Sequence, residues 1–196
     1  MYRAAPPSGG GLFKGHSRTL AQAGVASSGS ERGSCPHSTE PTPTIGSVAE
    51  FVPPDFDVPL GLQTPEFVLE PLGPMHHEQD YEAWTSSMEH IAGTPGFPDG
   101  SWPREMTPDE NRADLQRHAD DFRKRTGFTY TVLDPVSRDV IGCVYIYPVP
   151  DRDYDACALS WVRESRAHLD APLWRAVSEW LASDWPFGNV EYAPRA

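Results

Sequence analysis

The run VIGCVYIY at residues 140–147 decides the fold, together with the two segments that follow it. Its β-branched and aromatic residues predict a buried strand. The apolar run ACALSWV at 156–162 predicts a second strand, which follows a polar loop. Apolar residues then repeat with helical spacing over 173–183, which predicts an amphipathic helix whose start is marked by Asp170 and Pro172.

The chain before this block adds a hairpin and a well-marked helix. FTYTVL at 128–133 predicts a strand, and the turn residues at 134–139 join it to the strand that follows as an antiparallel hairpin. The sequence TPDE at 107–110 is a capping box with proline at the first helical position. It predicts a helix that runs to about Arg125 and is ended by Gly127.

One further helix and two short strands complete the predicted order. The helix covers His76–Ile91, with Tyr81, Trp84 and Met88 on one apolar face. The two short strands are predicted at 67–72 and 189–192. The predicted fold class is therefore α/β (α+β), with a mixed, largely antiparallel sheet flanked by helices.

The first 65 residues have the composition of a tail. They contain nine Pro, nine Gly and eight Ser with few aromatic residues, so they bury too little apolar surface to offset the entropy lost on ordering. We therefore expect a disordered or extended segment at 1–65 and one folded domain at 66–196. Within the tail, the stretch from Phe51 to Phe56 favours an extended strap along the domain.

Charge and cysteine content exclude several classes of protein. The net charge is −12 and the acidic residues are concentrated after residue 47, which argues against a nucleic-acid partner.

No stretch approaches the ~20 apolar residues of a membrane-spanning helix. Three cysteines without C-x-x-C spacing give neither a disulfide framework nor a zinc ribbon, and Cys143 and Cys157 are expected to be buried hydrophobes. A cytoplasmic protein without a membrane partner is expected.

The order of elements resembles that of the GNAT superfamily of acyl-CoA-dependent N-acetyltransferases. The step Val140-Ile141-Gly142 resembles the third strand of that family, and Leu159-Ser160-Trp161-Val162 leads into a helix as in its cofactor-binding segment. The chain is similar in particular to small actinobacterial-type members of unassigned substrate. The resemblance covers about residues 66–196, and it implies a GNAT fold and transfer of an acetyl group from acetyl-CoA to an amine.

The resemblance also implies where acetyl-CoA would bind. In the family, the pattern [Gln/Arg]-x-x-Gly-x-[Gly/Ala] places backbone N–H groups at a helix start, where they bind the diphosphate. In the matching run Arg166 and Ala171 fit, Leu169 replaces the glycine and Asp170 adds a negative charge. Backbone N–H groups near Val162 would stabilise the thioester oxyanion. The implied cofactor-binding residues are Val162, Arg163, Arg166, Ala167, His168, Leu169, Asp170 and Ala171. A polar turn capped by Asp170 is the competing interpretation of the same run.

The acceptor side of such a protein is only partly represented in the sequence. Members of the family usually continue after the fifth strand with a helix and two strands that complete the acceptor cleft, whereas this sequence ends four residues after Tyr192. The N-terminal segment or a second subunit is therefore expected to complete the cleft, and the second of these implies a homodimer. The acceptor would be a small-molecule amine or a peptide, and the acidic surface favours a cationic amine.

The catalytic residues are left open by the sequence. Asp153, Asp155 and Glu164 lie near the strand at 156–162 and are candidates for the base that deprotonates the amine. Each is also explained as a solvated loop carboxylate. Glu89 and His90 precede an aromatic loop and are candidates for shaping an acceptor pocket, or they simply end a helix.

No metal site is predicted, and one function of another class stays open. Adjacent histidines such as His76 and His77 point about 100° apart on a helix, and no H-x-x-x-H spacing accompanies them. The alternative to an acyltransferase is a catalytically inert protein of GNAT fold that binds a ligand or associates with itself. Leu169 in the glycine position and the missing C-terminal elements favour this alternative.

Overall fold

All five predicted strands are present in the structure, a computed structural model that describes residues 50–97, 102–149 and 153–195. The strands are β1 (Leu62–Gln63), β2 (Val68–Pro71), β3 (Phe128–Leu133), β4 (Val140–Tyr147), β5 (Ala156–Val162) and β6 (Val190–Tyr192). The α-helices are α1 (His77–Thr85), α2 (Met88–Ala92), α3 (Pro108–Lys124) and α4 (Asp170–Asp184). Short 3-10 turns at Pro74–His76 and Glu164–Leu169 precede α1 and α4. The two-residue strand β1 was not predicted.

The sheet follows chain order from β1 to β6, so each strand pairs with its neighbour in sequence. The pairings from β1 to β5 are antiparallel. Strands β5 and β6 pair in parallel over only three positions, from Ala156 opposite Val190 to Ala158 opposite Tyr192. The structure therefore confirms the predicted class of a mixed, largely antiparallel sheet flanked by helices.

Different helices cover the two faces of the sheet. On one face α4 packs through Leu173, Val177 and Leu181, which confirms the predicted apolar face of this helix. Helices α1, α2 and α3 cover the other face, where Trp84 of α1 and Trp161 of β5 belong to a second core cluster. The sheet thus separates two cores, and each core lies under its own set of helices.

The predicted strap is part of the packed structure. Phe51 stacks on Phe128 and Phe187, with ring centroids 5.6 and 5.2 Å apart, and Val52 is buried beside them on the α4 face. The aromatic and proline residues of the strap explain its packing, because they bury apolar surface without needing a ladder of backbone hydrogen bonds. The packed structure therefore extends upstream of the boundary expected at residue 66.

The C-terminus of α3 holds the strap in place. The predicted capping box at 107–110 is confirmed, with both reciprocal hydrogen bonds present. The helix ends at Lys124, close to the predicted end at about Arg125, but the residue that ends it is Arg125 and not Gly127, because Arg125 takes the left-handed conformation with φ of 60°. The guanidinium of Arg125 donates to the carbonyl oxygens of Pro53 (2.7 Å) and Phe56 (2.8 Å). A residue at the helix end therefore secures a segment about seventy positions away.

The helix predicted over His76–Ile91 is interrupted. Helix α1 ends at Thr85 and α2 begins at Met88, and Ser87 between them accepts a hydrogen bond from the backbone N–H of Glu164 (3.1 Å). The predicted apolar face does pack against the core, since Trp84 is buried and Tyr81 and Met88 are half-buried beside it, but the buried residues of α1 also include His77, Asp80 and Ala83. Apolar periodicity missed these residues because two of them are polar side chains buried among the helices.

Two expectations that bear on the location of the protein can be compared with the structure. Cys143 and Cys157 are both buried, as predicted. Cys143 is a free thiol. Among the described residues, every helix is too short or too polar to cross a bilayer.

The close approach of β4 and β5 at Gly142 gives a test of the fold. A Cβ atom at this position would lie 2.2 Å from the carbonyl oxygen of Trp161. We expect Gly142→Ala to lower the free energy of unfolding by about 1–3 kcal/mol, because the paired backbone must shift. Gly93→Ala is the matched control, since its Cβ would meet nothing closer than 3.5 Å. Chemical denaturation measures both, and identical midpoints for Gly142→Ala and the wild type would contradict the packing described.

Candidate functional site

The short pairing of β5 with β6 leaves part of β5 without a partner strand. Their pairing ends at Ala158 and Tyr192, and beyond Ala158 no strand of the described ranges pairs with this side of β5. The unpaired part of β5 runs from Leu159 to Val162 and leads directly into the 3-10 turn before α4. We call this place the β5–β6 opening.

The direction of the backbone groups at the opening follows from the ladder on the other side of β5. The N–H of Arg163 donates to the carbonyl of Ile141 in β4 (2.8 Å). Successive residues of a strand direct their N–H and C=O groups to opposite neighbours. Those of Ser160 and Val162 therefore point away from β4 and into the opening. Val162, one of the predicted cofactor-binding residues, thus presents its backbone there while its side chain is buried in the core.

The segment predicted to bind the diphosphate is a 3-10 turn continuous with α4. The N–H of Arg166 donates to the carbonyl of Arg163 (2.8 Å), and the N–H of Asp170 donates to that of Ala167. Leu169, in the position of the family glycine, is only 6% exposed and belongs to the core beneath α4. Two N–H groups that a phosphate would use are therefore bonded within the turn itself.

The arginines of this segment are paired with carboxylates. The guanidinium of Arg163 donates to Glu82 of α1 (2.6 Å). That of Arg166 donates to Asp134 in the hairpin turn (3.0 Å). The remaining predicted members lie at or near the surface: Ala167, His168 and Ala171. The structure therefore brings the eight predicted residues together, but with the arginine charges already matched by acidic partners.

Arg195, which no sequence pattern singled out, fills the opening. Its side chain is 3% exposed, and its Nε donates to Oδ2 of Asp170 at 2.7 Å. One terminal nitrogen donates to the carbonyl of Ser160 at 2.9 Å. The other donates to the carbonyls of Ala193 (2.7 Å) and Pro95 (3.0 Å). One guanidinium thus joins β5, the start of α4, the loop after α2 and the segment after β6.

Two hydroxyl groups lie beside this guanidinium. Oγ of Ser160 and the phenolic oxygen of Tyr192 are 2.5 Å apart, and the guanidinium carbon of Arg195 lies 5.8 Å from the centre of the Tyr192 ring. Burial raises the pKa of Tyr192, more than the hydrogen bond with Ser160 and the charge of Arg195 lower it. Tyr192 therefore remains a proton donor at neutral pH.

On the opposite face of the sheet, a buried polar cluster lies between α1, α3 and β4. The carboxylate of Asp80, 4% exposed, accepts hydrogen bonds from the amide of Asn111 (3.1 Å) and the thiol of Cys143 (3.6 Å). The indole N–H of Trp84 donates to the amide oxygen of Asn111 (3.0 Å). Burial raises the pKa of Asp80, and the hydrogen bonds from Asn111 and Cys143 only partly oppose it.

A second acid of this cluster is paired with a histidine. Nε2 of His118 lies 3.3 Å from a carboxylate oxygen of Asp114, and Nδ1 lies 2.6 Å from the hydroxyl of Tyr147 and 3.1 Å from that of Thr129. Burial raises the pKa of Asp114, but the hydrogen bond and charge of His118 outweigh burial, so this pKa is lowered. An imidazole between a carboxylate and a hydroxyl can accept and pass on a proton.

Aromatic rings close the space between the two acids. The Trp102 ring centroid lies 6.4 Å from those of Trp84 and Tyr145. The cavity that these rings enclose with Asp80 and Asp114 has a volume of about 10 Å³, room for roughly one water molecule. In its present form the cavity therefore admits a small polar group and excludes a larger substrate.

A larger groove lies on the solvent side of Trp84. It has a volume of about 390 Å³ and runs between α1 and the N-terminus of α3. Its lining combines apolar and acidic side chains, which include Tyr81, Trp84, Met88, Met106, Glu105 and Glu110. Clefts of this size and mixed lining are typical of sites for small ligands or short peptides.

The acids proposed from the sequence as bases lie elsewhere. Asp155 accepts the backbone N–H groups of Gly188 (2.7 Å) and Asn189 (2.9 Å), so it holds the loop before β6. Asp153 and Glu164 are exposed. None of these three acids lines the buried cavity or the groove.

The other candidates from the sequence also lie outside these spaces. Glu89 is exposed and His90 is half-buried, and neither lines the cavity or the groove, whereas Trp102 of the aromatic loop lines the cavity. His76 pairs with Glu70 (2.9 Å). In residues 50–97, 102–149 and 153–195, no three His, Cys, Asp or Glu side chains are placed to hold a metal ion.

The cluster on α3 had a signal in the sequence that apolar periodicity does not use. Asn111, Asp114 and His118 recur at i, i+3 and i+7, on the face that also carries Leu115. Polar residues with the spacing of a buried face indicate a hydrogen-bonded cluster beneath a helix. Arg195 had no such signal, because its partners are distant in sequence.

Comparison with known proteins finds acetyltransferases. No protein-family model and no curated protein matches the sequence. A ribosomal-protein-S5-alanine acetyltransferase from Vibrio fischeri is similar in structure, with 15% identity, a TM-score of 0.49 and coverage of 64% of this chain and 67% of the other. A protein from Bordetella pertussis described as a GNAT-family acetyltransferase has 18% identity, a TM-score of 0.48 and coverage of 64% and 74%.

A third similar structure modifies a ribosomal protein. It is an acetyltransferase from Salmonella typhimurium that modifies the N-terminal serine of ribosomal protein L7/L12, with 12% identity, a TM-score of 0.49 and coverage of 62% of this chain and 68% of the other. These neighbours include members of the superfamily that the sequence predicted. At such identities and TM-scores the likeness concerns the fold and carries no information about the acceptor.

The raised pKa of Asp80 predicts a change of stability with pH. The protonated carboxyl stabilises the fold fully below the ordinary value of 3.8, and this contribution is lost as the pH rises through the raised pKa of the folded state. Asp80→Asn cannot ionise, so its free energy of unfolding should increase relative to wild type as the pH rises above about 4. Denaturant unfolding across this range measures the difference. Glu66→Gln, at an exposed position, is the control, and parallel pH profiles for Asp80→Asn and wild type would refute the prediction.

The burial of Leu169 predicts that this position serves the core. We expect Leu169→Ala to lower the free energy of unfolding by about 2–5 kcal/mol, as for other buried leucines. Leu60→Ala, at a position 73% exposed, should change it by less than about 0.5 kcal/mol. Thermal or chemical denaturation compares the two. A tolerated Leu169→Ala would show that the turn carries little of the packing assigned to it.

Proposed function

We propose that this protein is an acyl-CoA-dependent N-acyltransferase that transfers an acetyl group to an amine. The observation that carries the proposal is the β5–β6 opening. There the backbone groups of Ser160 and Val162 form a strand edge without a partner strand, beside the start of α4. In this reaction the amine nitrogen bonds to the thioester carbonyl carbon and the C–S bond breaks. The proton that the amine loses ends on the thiol of coenzyme A.

The opening suits an elongated co-substrate that carries amides. The pantetheine arm of acetyl-CoA has two amide groups, and an open strand edge binds such groups as it would bind another strand. Ser160 and Val162 would hold the arm, and the N–H of Val162 would stabilise charge that develops on the thioester oxygen. The predicted residues from Arg163 to Ala171 would flank the diphosphate.

Arg166 is the member of this set best placed to reach a phosphate. Its side chain is 39% exposed, so its ion pair with Asp134 is screened by water and contributes little to stability. Arg163 is less exposed and is bonded to Glu82. A phosphate would therefore replace Asp134 as the partner of Arg166 at a smaller cost in free energy than it would replace Glu82 as the partner of Arg163.

The acids on the other face of the sheet favour a cationic acceptor. Glu105 and Glu110 line the groove on the solvent side of Trp84. Carboxylates along a cleft raise the local concentration of cations, which supports an amine acceptor, either a small molecule or a peptide. His118, paired with Asp114 and Tyr147, would accept the proton of such an amine through a relay.

We further propose a cytoplasmic location and a homodimer, with acetyl-CoA as co-substrate and without a metal. Size-exclusion chromatography with light scattering tests the dimer, and a monomeric mass at working concentration would reject it. Neither a nucleic acid nor a membrane is proposed as a partner, since the charge of the chain is strongly acidic.

A second function is favoured by a specific observation. Leu169 and Asp170 occupy the positions where a diphosphate would bind, and Arg195 fills the opening. These features suit a catalytically inert protein that binds another ligand or associates with itself. Titration with acetyl-CoA separates the two functions, because an absence of heat at millimolar ligand would leave only the inert protein.

The predicted role of Arg166 gives a test with a matched control. Arg166→Gln should weaken acetyl-CoA binding roughly tenfold, the loss of about 1.5 kcal/mol from one charge-assisted hydrogen bond. Arg175→Gln, exposed on α4 outside the predicted set, should bind like wild type. Calorimetry measures both, and NMR titration with S-acetylpantetheine, which lacks the diphosphate, should give equal affinities for all three proteins. Equal weakening by the two variants would remove Arg166 from the site.

A further inference from the structure

We propose that Arg195 is a gate at the β5–β6 opening, and that it must leave its seat before acyl-CoA can bind there. The inference rests on the proposed function and concerns the regulation of the same site. The seat of Arg195 includes the carbonyl of Ser160, which is one of the backbone groups that the pantetheine arm would use. The guanidinium and the arm therefore compete for one place.

The seat is built for a guanidinium. The side chain is 3% exposed, and its nitrogens donate to one carboxylate and three backbone carbonyls, those of Ser160, Ala193 and Pro95. A planar guanidinium carries five N–H donors, enough for all of these acceptors, whereas an ammonium group carries three. This degree of pairing at an arginine side chain that is 3% exposed indicates a defined closed state of the opening.

The closed state leaves one carboxylate oxygen of Asp170 without a hydrogen bond. Arg195 bonds only Oδ2 of this carboxylate, and Oδ1 is buried without a hydrogen-bond partner. A buried acceptor without a partner costs free energy, so the closed state is not fully stabilised. A ligand that supplies donors and amides at the opening can therefore displace Arg195.

The gate predicts an effect of opposite sign to simple electrostatics. Removing a positive charge near a phosphate site normally weakens the binding of an anion. If Arg195 closes the opening, Arg195→Ala should instead strengthen binding, because the apparent dissociation constant is the intrinsic one divided by the open fraction. If Arg195 is displaced from the opening in about one fifth of the wild-type molecules, its removal would lower the apparent dissociation constant roughly fivefold.

The test compares two ligands on four proteins. Wild type, Arg195→Ala, Arg195→Lys and the control Arg175→Ala are titrated with acetyl-CoA and with the uncharged S-acetylpantetheine. We expect Arg195→Ala to bind S-acetylpantetheine at least about fivefold more tightly than wild type, and Arg175→Ala to bind it equally. Arg195→Lys, which keeps the charge but not the planar donor set, should lie between them and serves if the alanine variant does not fold. Because S-acetylpantetheine carries no phosphate, its affinity reports the gate without the charge effect.

A second measurement observes the gate directly. The Nε–H of Arg195, bonded to Asp170 and shielded from solvent, should give a slowly exchanging NMR signal that disappears at saturating acetyl-CoA. Binding by Arg195→Ala alone would also support the gate. Unchanged or weaker binding of S-acetylpantetheine by Arg195→Ala, or a signal that persists in the complex, would overturn the gate and leave the acyltransferase intact. An absence of binding by all four proteins would overturn both.

Discussion

A parallel pairing of only three residues, between β5 and β6, determines how this molecule is built around its candidate site. Parallel neighbours cannot be joined by a tight turn, so the chain crosses one face of the sheet as α4 before it returns. The pairing stops at Tyr192, and Pro194, two residues later, has no N–H with which to continue a ladder. The edge of β5 from Leu159 onward is then left to other partners. Its carbonyl at Ser160 is satisfied by Arg195, in agreement with the rule that buried backbone groups are paired.

The two faces of the sheet solve different problems of burial. The α4 face is apolar and aromatic, and the strap completes it. The α1–α3 face buries the carboxylate of Asp80 and half-buries that of Asp114, which costs free energy unless each is hydrogen-bonded or paired. Asn111 and Cys143 serve Asp80 in this way, and His118 serves Asp114. Apolar residues at these positions would stabilise the fold equally well. The cluster therefore departs from the rule that buried helix faces are apolar, and such departures are expected at functional sites.

The regular elements could be predicted because their signals are local. The capping box before α3 and the apolar face of α4 depend on neighbours within a few turns, and both were found in the structure. Gly127 shows how a local signal can have a different cause. It was predicted to end α3, but its position is explained by packing, since a Cβ atom there would lie 2.2 Å from the ring of Tyr147.

The candidate site was harder to predict because its contacts join distant segments. The eight residues predicted for the cofactor do cluster, since they are consecutive or nearly so. That Leu169 is a core residue depends on how α4 crosses the sheet, and the seat of Arg195 depends on Pro95, Ser160 and Asp170 meeting in space. Apolar periodicity also assumes that buried helix faces are apolar, so it could not predict that Asp80 of α1 is buried.

The strap affects how a measured oligomeric state of this protein should be interpreted. Phe51 and Phe56 cover the rings of Phe128, Phe187 and Trp185 on the α4 face. A fragment that began at residue 66 would leave these rings uncovered as a contiguous apolar patch, and such patches drive association. A dimer of that fragment would report the missing cover and not a natural interface. The oligomeric state therefore has meaning only for a chain that retains residues 50–65.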